Sequence, residues 1–185
     1  ASTAAETLRQ SGFRGEIEIV TREESPPYDR TQLSKYQMAN NKSGVPSLRS
    51  SDFYEEAGIT LRKGKEVVGL DREAKKVFLN DGSKASFDKA LLAPGSEPNT
   101  LGVPGGELDN VFSLRTPKDL RSINKKAEGA SRVVVIGSSF IGMESAASLR
   151  ERNLEVTVVS LSSTPFERVF GKEIGEVYRK THGEN

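Results

Sequence analysis

Cysteine is absent from all 185 residues of this chain. That absence excludes a redox disulfide, a thiol nucleophile and thiolate-bound metal within the chain. It leaves the compartment open, because reducing and oxidising locations both tolerate a cysteine-free protein. Histidine occurs once, as His182 in a polar tail, so neither a His-based catalytic dyad nor a zinc cluster is expected. A surface histidine fits that position. No apolar run approaches the roughly twenty residues that cross a bilayer. Neither charge is in excess: 27 Lys and Arg against 26 Asp and Glu leave a net charge of +1. A nucleic-acid binder carries a basic excess or stripe, and this chain has neither. Charged residues make up 29% of the chain without a long like-charge block, as on an ordinary solvated surface. No signal or transit pattern opens the sequence.

What is present suffices for a real core, as one large domain or as parts of two. The opening ASTAAETLRQSGF has the composition of a helix interior, which predicts a helix over 1–11 with Gly12 as its C-cap. The alternating EIEIV (16–20) predicts a strand. Helix then strand is the back half of a βαβ unit, so the sequence is expected to begin mid-domain. SPPYDR follows as a proline-rich loop, with Pro27 fixing its own φ. Residues 52–64 predict a short helix, a stop at Gly58 and a strand. Beyond them a meander is expected, turning at NDG (80–82) and running on to a turn at Pro94–Gly95. Residues 110–127 predict a strand and then a helix, with Pro117 in its first turn. EGAS (128–131) is the expected boundary. After it come RVVVIG, SSFIGMESAASLRERN and LEVTVVS, a fresh strand–loop–helix–strand unit. A truncated unit followed by a complete one implies two similar nucleotide folds in series.

In VVVIGSSFIGME (133–144) a β-branched strand ends in Gly137 and leads into a helix. A dinucleotide-binding turn uses three glycines: one for the turn, one for close approach of the phosphate, one for helix–strand packing. Gly137 and Gly142 match the first and third. Ser139 stands at the second, where its Cβ and hydroxyl crowd the gap while the hydroxyl offers a phosphate a donor. The pyrophosphate would sit at the helix N-terminus, where amides and macrodipole favour negative charge. Ser138 or Ser139 serves equally as a plain helix N-cap. These residues alone leave both readings open. The second strand ends at Ser160, where a carboxylate would hold the ribose hydroxyls of NADH. Arg168 is either a partner for a 2′-phosphate or an exposed arginine, so the choice between NADH and NADPH stays open.

PPYDRTQLSK (26–35) resembles a segment of the flavoprotein pyridine-nucleotide oxidoreductases that include ferredoxin reductases and apoptosis-inducing factors. LLAPGSEPNTL (91–101), NVFSLRTPKDLRS (110–122) and VVVIGSSFIGMESAASL (133–149) agree with that family in order and spacing. TPFERVFGKEIG (164–175) is similar to the corresponding stretch in the third apoptosis-inducing-factor type. The resemblance implies an α/β, FAD/NAD(P)-binding Rossmann-like (three-layer) fold. Residues 1–127 would be an FAD-binding domain lacking its first strand and glycine loop. Residues 132–185 would be the N-terminal part of an inserted NAD(P)H-binding domain. The family's C-terminal interface domain would lie outside the chain.

The resemblance also assigns roles. Arg30 is expected towards the FAD phosphates or ribityl chain, and Lys35 close to the isoalloxazine, where a lysine stabilises negative charge on the reduced ring. Glu144 matches a glutamate near the nicotinamide that pairs with that lysine; such a pair fixes geometry more surely than it adds stability. Val67 matches a backbone contact to the FAD adenine. Ala93, Pro94 and Gly95 replace the ATG turn beneath the flavin, and Arg115 matches an arginine of the FAD site. Gly137, Ser139, Phe140, Ile141, Gly142 and Glu144 would form the NAD(P)H loop. Without the resemblance, Arg30, Lys35 and Arg115 are solvated cations and Glu144 is a solvent-facing charge; Val67 is expected in the core on either reading.

Several positions depart from the family. Arg22 takes one of two acidic positions, leaving Glu23 to hold the adenosine ribose alone. Thr31 and Gln32 replace two prolines, which is expected to loosen the loop presenting Lys35. Ser139 and Ser160 weaken the nicotinamide side. The implied parent passes hydride from NAD(P)H to FAD and electrons onward to an iron–sulfur or quinone-like acceptor, in a mitochondrial or cytoplasmic location. The chain alone is expected to be inactive and to bind FAD weakly or not at all. The rival reading is a non-catalytic interaction or regulatory module with a degenerate nucleotide-binding fold.

Overall fold

The opening run of helix formers folds as α1 (Ser2–Gln10), and EIEIV as β1 (Ile17–Val20). Gly12 has φ +85°, and the amides of Gly12 and Phe13 bond back to the carbonyls of Arg9 and Leu8. This is a Schellman ending, the reason a glycine stands there. The computed structural model describes residues 1–42 and 44–184. They divide into two compact units: 1–28 with 47–96, and 29–46 with 97–185.

In the first unit, α3 (Phe53–Glu56) leads into β2 (Ile59–Arg62), which pairs parallel to β1 with Ile17 opposite Ile59. Between these two elements Gly58 has φ +61°, as its expected role as a stop requires. Ala5, Ile19, Tyr54 and Ile59 form the core between helix and strands. Arg9 ties the outside of this layer: its guanidinium donates to the carbonyls of Ala57, Phe13, Gly15 and Gly58 at 2.7–2.8 Å. An antiparallel meander follows, β3 (Val67–Asp71), β4 (Lys76–Leu79) and β5 (Lys84–Ser86). Its NDG turn places Gly82 at φ +82°. Lys65 lies 2.8 Å from Asp81 and, with Ser83, holds that carboxyl far below the usual range.

The meander's last strand is shorter than its sequence implies. It stops at Ser86, opposite Lys76, the first residue of β4. Beyond that point β5 has no partner strand among the described residues; 87–100 forms neither helix nor strand, and Leu91 and Leu92 are exposed. The strand expected within 110–116 is also absent for want of a neighbour, and Val111 and Phe112 lie at the surface.

In the second unit, a 3-10 turn (Arg30–Leu33) leads to α2 (Tyr36–Ala39). Then α4 (Pro117–Ala127) begins on a capping box: Thr116 accepts from the Asp119 amide, and Asp119 accepts from the Thr116 amide, with Pro117 in the first turn. This exchange satisfies helix-start donors that no intrahelical carbonyl reaches. Next come β6 (Arg132–Ile136), α5 (Phe140–Arg150) and β7 (Glu155–Val159). The two strands pair parallel, Arg132 opposite Glu155 through Ile136 opposite Val159, and α5 packs against both strands and against α2. Leu33, Met38, Leu120, Met143, Ala146 and Leu149 are buried.

The chain ends in α6 (Glu167–Gly183), kinked at Gly171. Glu167 accepts from the Ser163 hydroxyl and from the Ser163 and Thr164 amides. These bonds, the Ser163 hydroxyl first, hold its carboxyl below the ordinary value. His182 lies within α6, half-buried, rather than in a polar tail. Among the described residues no helix is long and apolar enough to cross a membrane.

Candidate functional site

The turn from β6 into α5 shows why its glycines are needed. Gly137 has φ +113° and donates its amide to Val159 O at 2.8 Å, closing the end of the β6–β7 pair. A Cβ on Gly142 would fall 2.1 Å from Gly137 O, so helix and turn touch backbone to backbone. These are the roles of the first and third glycines of a dinucleotide loop.

Ser139 is the N-cap residue of α5, but its side chain makes no capping hydrogen bond. The hydroxyl is therefore not spent on the helix's own amides, which keep the anion-favouring character of a helix start. Ser138 turns elsewhere: its hydroxyl pairs with that of Ser160 at 2.6 Å, and its carbonyl accepts from Phe166 N at 2.8 Å. Ser160 also accepts from the Ser162 amide. The loop is thus tied to the end of β7, where an NADH-type site carries its acid. Phe140 and Ile141 are exposed. Phe140 packs its ring at a tilt against Phe166 and edge-on against Phe170, at centroid distances of 5.1 and 5.9 Å, joining the helix start to α6.

One turn further along α5, Glu144 meets the segment before α2. Its Oε1 lies 3.5 Å from Lys35 Nζ, with the two side chains 30% and 48% exposed. Its Oε2 accepts from the Ser34 hydroxyl at 2.6 Å. Ser148, another turn on, donates to Ser34 O at 2.7 Å and to Lys35 O at 3.2 Å. Lys35, Tyr36, Asn40, Glu144, Ser148 and Glu151 line a shallow groove of about 380 Å³.

Before Lys35 the chain is held by Asp29. Its carboxylate accepts from the Thr31 hydroxyl at 2.7 Å, the Thr31 amide at 3.0 Å and the Gln32 side chain at 3.2 Å. These bonds, the Thr31 hydroxyl above all, lower the Asp29 carboxyl from its ordinary value. The loosening expected from Thr31 and Gln32 is accordingly offset: hydrogen bonds replace the restraint of proline rings. Arg30 donates through Nη1 to the Arg115 carbonyl, and the Arg115 amide donates to Asp119 at 3.0 Å. Arg152 donates to Asn124 Oδ1 at 2.8 Å, while Asn124 donates to Lys42 O, joining α4 to the ends of α2 and α5.

The other expected residues lie in the first unit. Tyr28 donates its phenol to Glu23 at 2.7 Å. Val67 is 44% exposed, not core, because β3 pairs with β4 alone and its register shifts between Val67 and Gly69. Ala93, Pro94 and Gly95 sit in exposed chain without regular structure, with Gly95 at φ +74°. Sequence reasoning missed Ser34 and Ser148, whose contacts span more than a hundred residues. It also missed Asp29, whose signal was legible as an acid two residues before a threonine.

The fold agrees with known proteins. Human apoptosis-inducing factor 3 is 42% identical over 181 residues, covering 98% of this chain and 29% of that protein. The ferredoxin–NAD(+) reductase subunit of the benzene 1,2-dioxygenase system of Pseudomonas putida is 36% identical, covering 94% of this chain and 42% of that protein. A solved ferredoxin reductase for the CYP199A2 system of Rhodopseudomonas palustris superimposes with a TM-score of 0.92 at 32% identity, over 97% of this chain and 45% of that one. The covalent putidaredoxin reductase–putidaredoxin complex gives 0.91 at 31% identity, over 99% and 45%. The chain spans less than half the length of each of these relatives. The family model described as pyridine nucleotide-disulphide oxidoreductase matches residues 1–185. The chain belongs to that family, in its Rossmann-like FAD/NAD(P)-binding fold.

Proposed function

We propose that the chain is part of a flavoprotein oxidoreductase that passes hydride from NAD(P)H to FAD and electrons onward to an iron–sulfur or quinone-like acceptor. Residues 1–127 would serve the flavin and 132–185 the nicotinamide nucleotide. The observation that carries this reading is the Lys35–Glu144 pair at 3.5 Å, presented one helical turn beyond a Gly137–Gly142 contact built like a dinucleotide turn. The relatives' names add support: one is a ferredoxin–NAD(+) reductase subunit, another a reductase bound to putidaredoxin. A mitochondrial or cytoplasmic location is part of this proposal.

When bound, a flavin supplies two-electron acceptance from a reduced nicotinamide and single-electron release. The residues do the rest by position and charge. The α5 start, with Gly137, Ser139, Phe140, Ile141 and Gly142, would hold the dinucleotide phosphates on backbone amides and the free Ser139 hydroxyl. Lys35 would offset negative charge that gathers on the reduced ring, and Glu144 would keep that ammonium in place. Arg30 and Arg115 would serve the flavin's phosphates; Glu23, Val67, Ala93, Pro94 and Gly95 complete the proposed FAD contacts. No side-chain nucleophile is needed, consistent with a chain that has no cysteine.

The test is the visible spectrum of the full-length protein, with NADH or NADPH added anaerobically. A yellow protein that bleaches supports the oxidoreductase. A colourless protein that takes up no added FAD overturns it and favours the non-catalytic module. The 185 residues alone are expected to retain little or no FAD, and stoichiometric tight binding would contradict that expectation.

A further inference from the structure

The Lys35–Glu144 pair is surrounded by two hydroxyls to which neither composition nor family resemblance gives a role. Ser34 and Ser148 are 4% and 5% exposed, and buried hydroxyls require partners. Both find them around this one pair. Ser34 Oγ donates to Glu144 Oε2 at 2.6 Å, fixing one carboxylate oxygen while the other faces Lys35 Nζ. Ser148 Oγ donates to Ser34 O at 2.7 Å and to Lys35 O at 3.2 Å.

The arrangement follows from helix geometry. Glu144 and Ser148 are four residues apart on α5 and so share a face. That face grips residues 34–35 at two heights, by a carboxylate and by a hydroxyl. The gripped segment needs holding, because Lys35 has φ −109° and ψ −122°, a non-helical break between the 3-10 turn and α2. A lysine on a free backbone, facing a partly exposed carboxylate, would sample many geometries.

We propose that Ser34 and Ser148 are positioning residues for the Lys35–Glu144 pair. Ser34 fixes the carboxylate, and Ser148 fixes the backbone from which Lys35 projects. The inference rests on the functional reading above for its effect on flavin reduction; the clamp itself belongs to this chain's own side chains.

The test uses the full-length protein with S34A, S34T, S148A, E144Q and the S34A/E144Q double variant. Three quantities are read: limiting rate and half-saturating NAD(P)H in anaerobic flavin reduction, amide hydrogen exchange over residues 34–39, and the melting temperature. S34A is expected to lower the limiting rate roughly tenfold, with half-saturation changed less than about twofold and S34T restoring most of the rate. In the E144Q background S34A is expected to cost almost nothing more, since it acts through that carboxylate. S148A is expected to speed exchange at residues 35–39 with little change elsewhere, beside the modest fall in melting temperature that loss of a buried donor brings. An equal rate loss in both backgrounds, or exchange unchanged in S148A, overturns the inference. If the wild-type protein is not reduced at all, the functional reading fails, and exchange in S148A still decides whether the clamp exists.

Discussion

Gly142 and Gly137 stand so close that a methyl group on Gly142 would lie 2.1 Å from the Gly137 carbonyl oxygen and 2.9 Å from its carbon. Both obstacles are backbone, which cannot swing aside. Gly142→Ala is therefore expected to destabilise the chain by about 1–3 kcal/mol, the strain of overpacking outweighing alanine's better helix propensity. Gly129→Ala is the control, because nothing lies within 4 Å of a Cβ there. Urea unfolding of the two variants checks the contrast, and equal midpoints would contradict it.

Arg9 offers a second stability prediction. Its planar fork reaches four backbone carbonyls from two loops, those of Phe13 and Gly15 after α1 and of Ala57 and Gly58 before β2. A lysine keeps the charge but has no fork. Arg9→Lys is expected to cost about 2 kcal/mol, as several hydrogen bonds of modest net worth are lost together. A urea midpoint equal to that of the parent chain would show that lysine suffices.

Local elements were the legible part of this sequence. Helix 1–11 is observed as Ser2–Gln10, strand 16–20 as Ile17–Val20, and Pro117 opens α4. Each is written in nearest neighbours: helix formers, alternation, a glycine stop. The Thr116–Asp119 capping box is equally written in T-P-K-D. Strands that depend on a distant partner were over-read, at 87–95 and 110–116, because apolar residues alone cannot show whether a neighbour exists to pair with. The candidate site was legible in part for the same reason. Gly137, Gly142 and Glu144 fall on one local pattern. The Ser138–Ser160 bond, the Ser34–Glu144 bond and the Asp29 restraint on Thr31 depend on side chains that choose between several partners, a choice the fold makes.

Together with Asp81 and Glu167, Asp29 contributes to the acid limb of the stability curve. The Thr31 hydroxyl, then the Gln32 side chain and the Thr31 amide, hold its folded pKa below the ordinary value. A depressed carboxyl contributes stability above its unfolded pKa and loses it as pH falls through the folded one. Asp29→Asn has no such titration, while Asp81 and Glu167 titrate alike in both proteins and cancel. The gap in urea midpoint between wild type and variant is expected to hold steady from pH 7 to about 5 and to narrow below about 4. A gap that stays constant down to the acid limit would contradict the role given to Thr31.

In the proposed function, Ser160 stands where a choice between NADH and NADPH would be made. It follows β7 directly as a neutral hydroxyl, already bonded to Ser138 at 2.6 Å. An aspartate there would still accept from Ser138 and would add a charge that favours ribose hydroxyls and repels a 2′-phosphate. In the full-length protein, Ser160→Asp is expected to move the ratio of half-saturating concentrations towards NADH by about tenfold. Flavin reduction with each nucleotide measures it, and an unchanged ratio would remove Ser160 from the ribose site.

The Lys35–Glu144 pair is expected to matter for rate and not for stability. With side chains 48% and 30% exposed, the ion pair is screened and contributes about 1 kcal/mol or less. Glu144 also retains the Ser34 hydroxyl when Lys35 is removed. Lys35→Ala should therefore leave the melting temperature of the full-length protein nearly unchanged while slowing flavin reduction by about 10²-fold, the usual scale for losing one fixed charge at a reacting centre. Glu144→Ala should slow it less, because the lysine charge remains and only its placement is lost. Stopped-flow absorbance on both variants, at equal FAD content, gives the order directly. Lys35→Ala with an unaltered rate would take the pair out of the chemistry and leave it a surface contact.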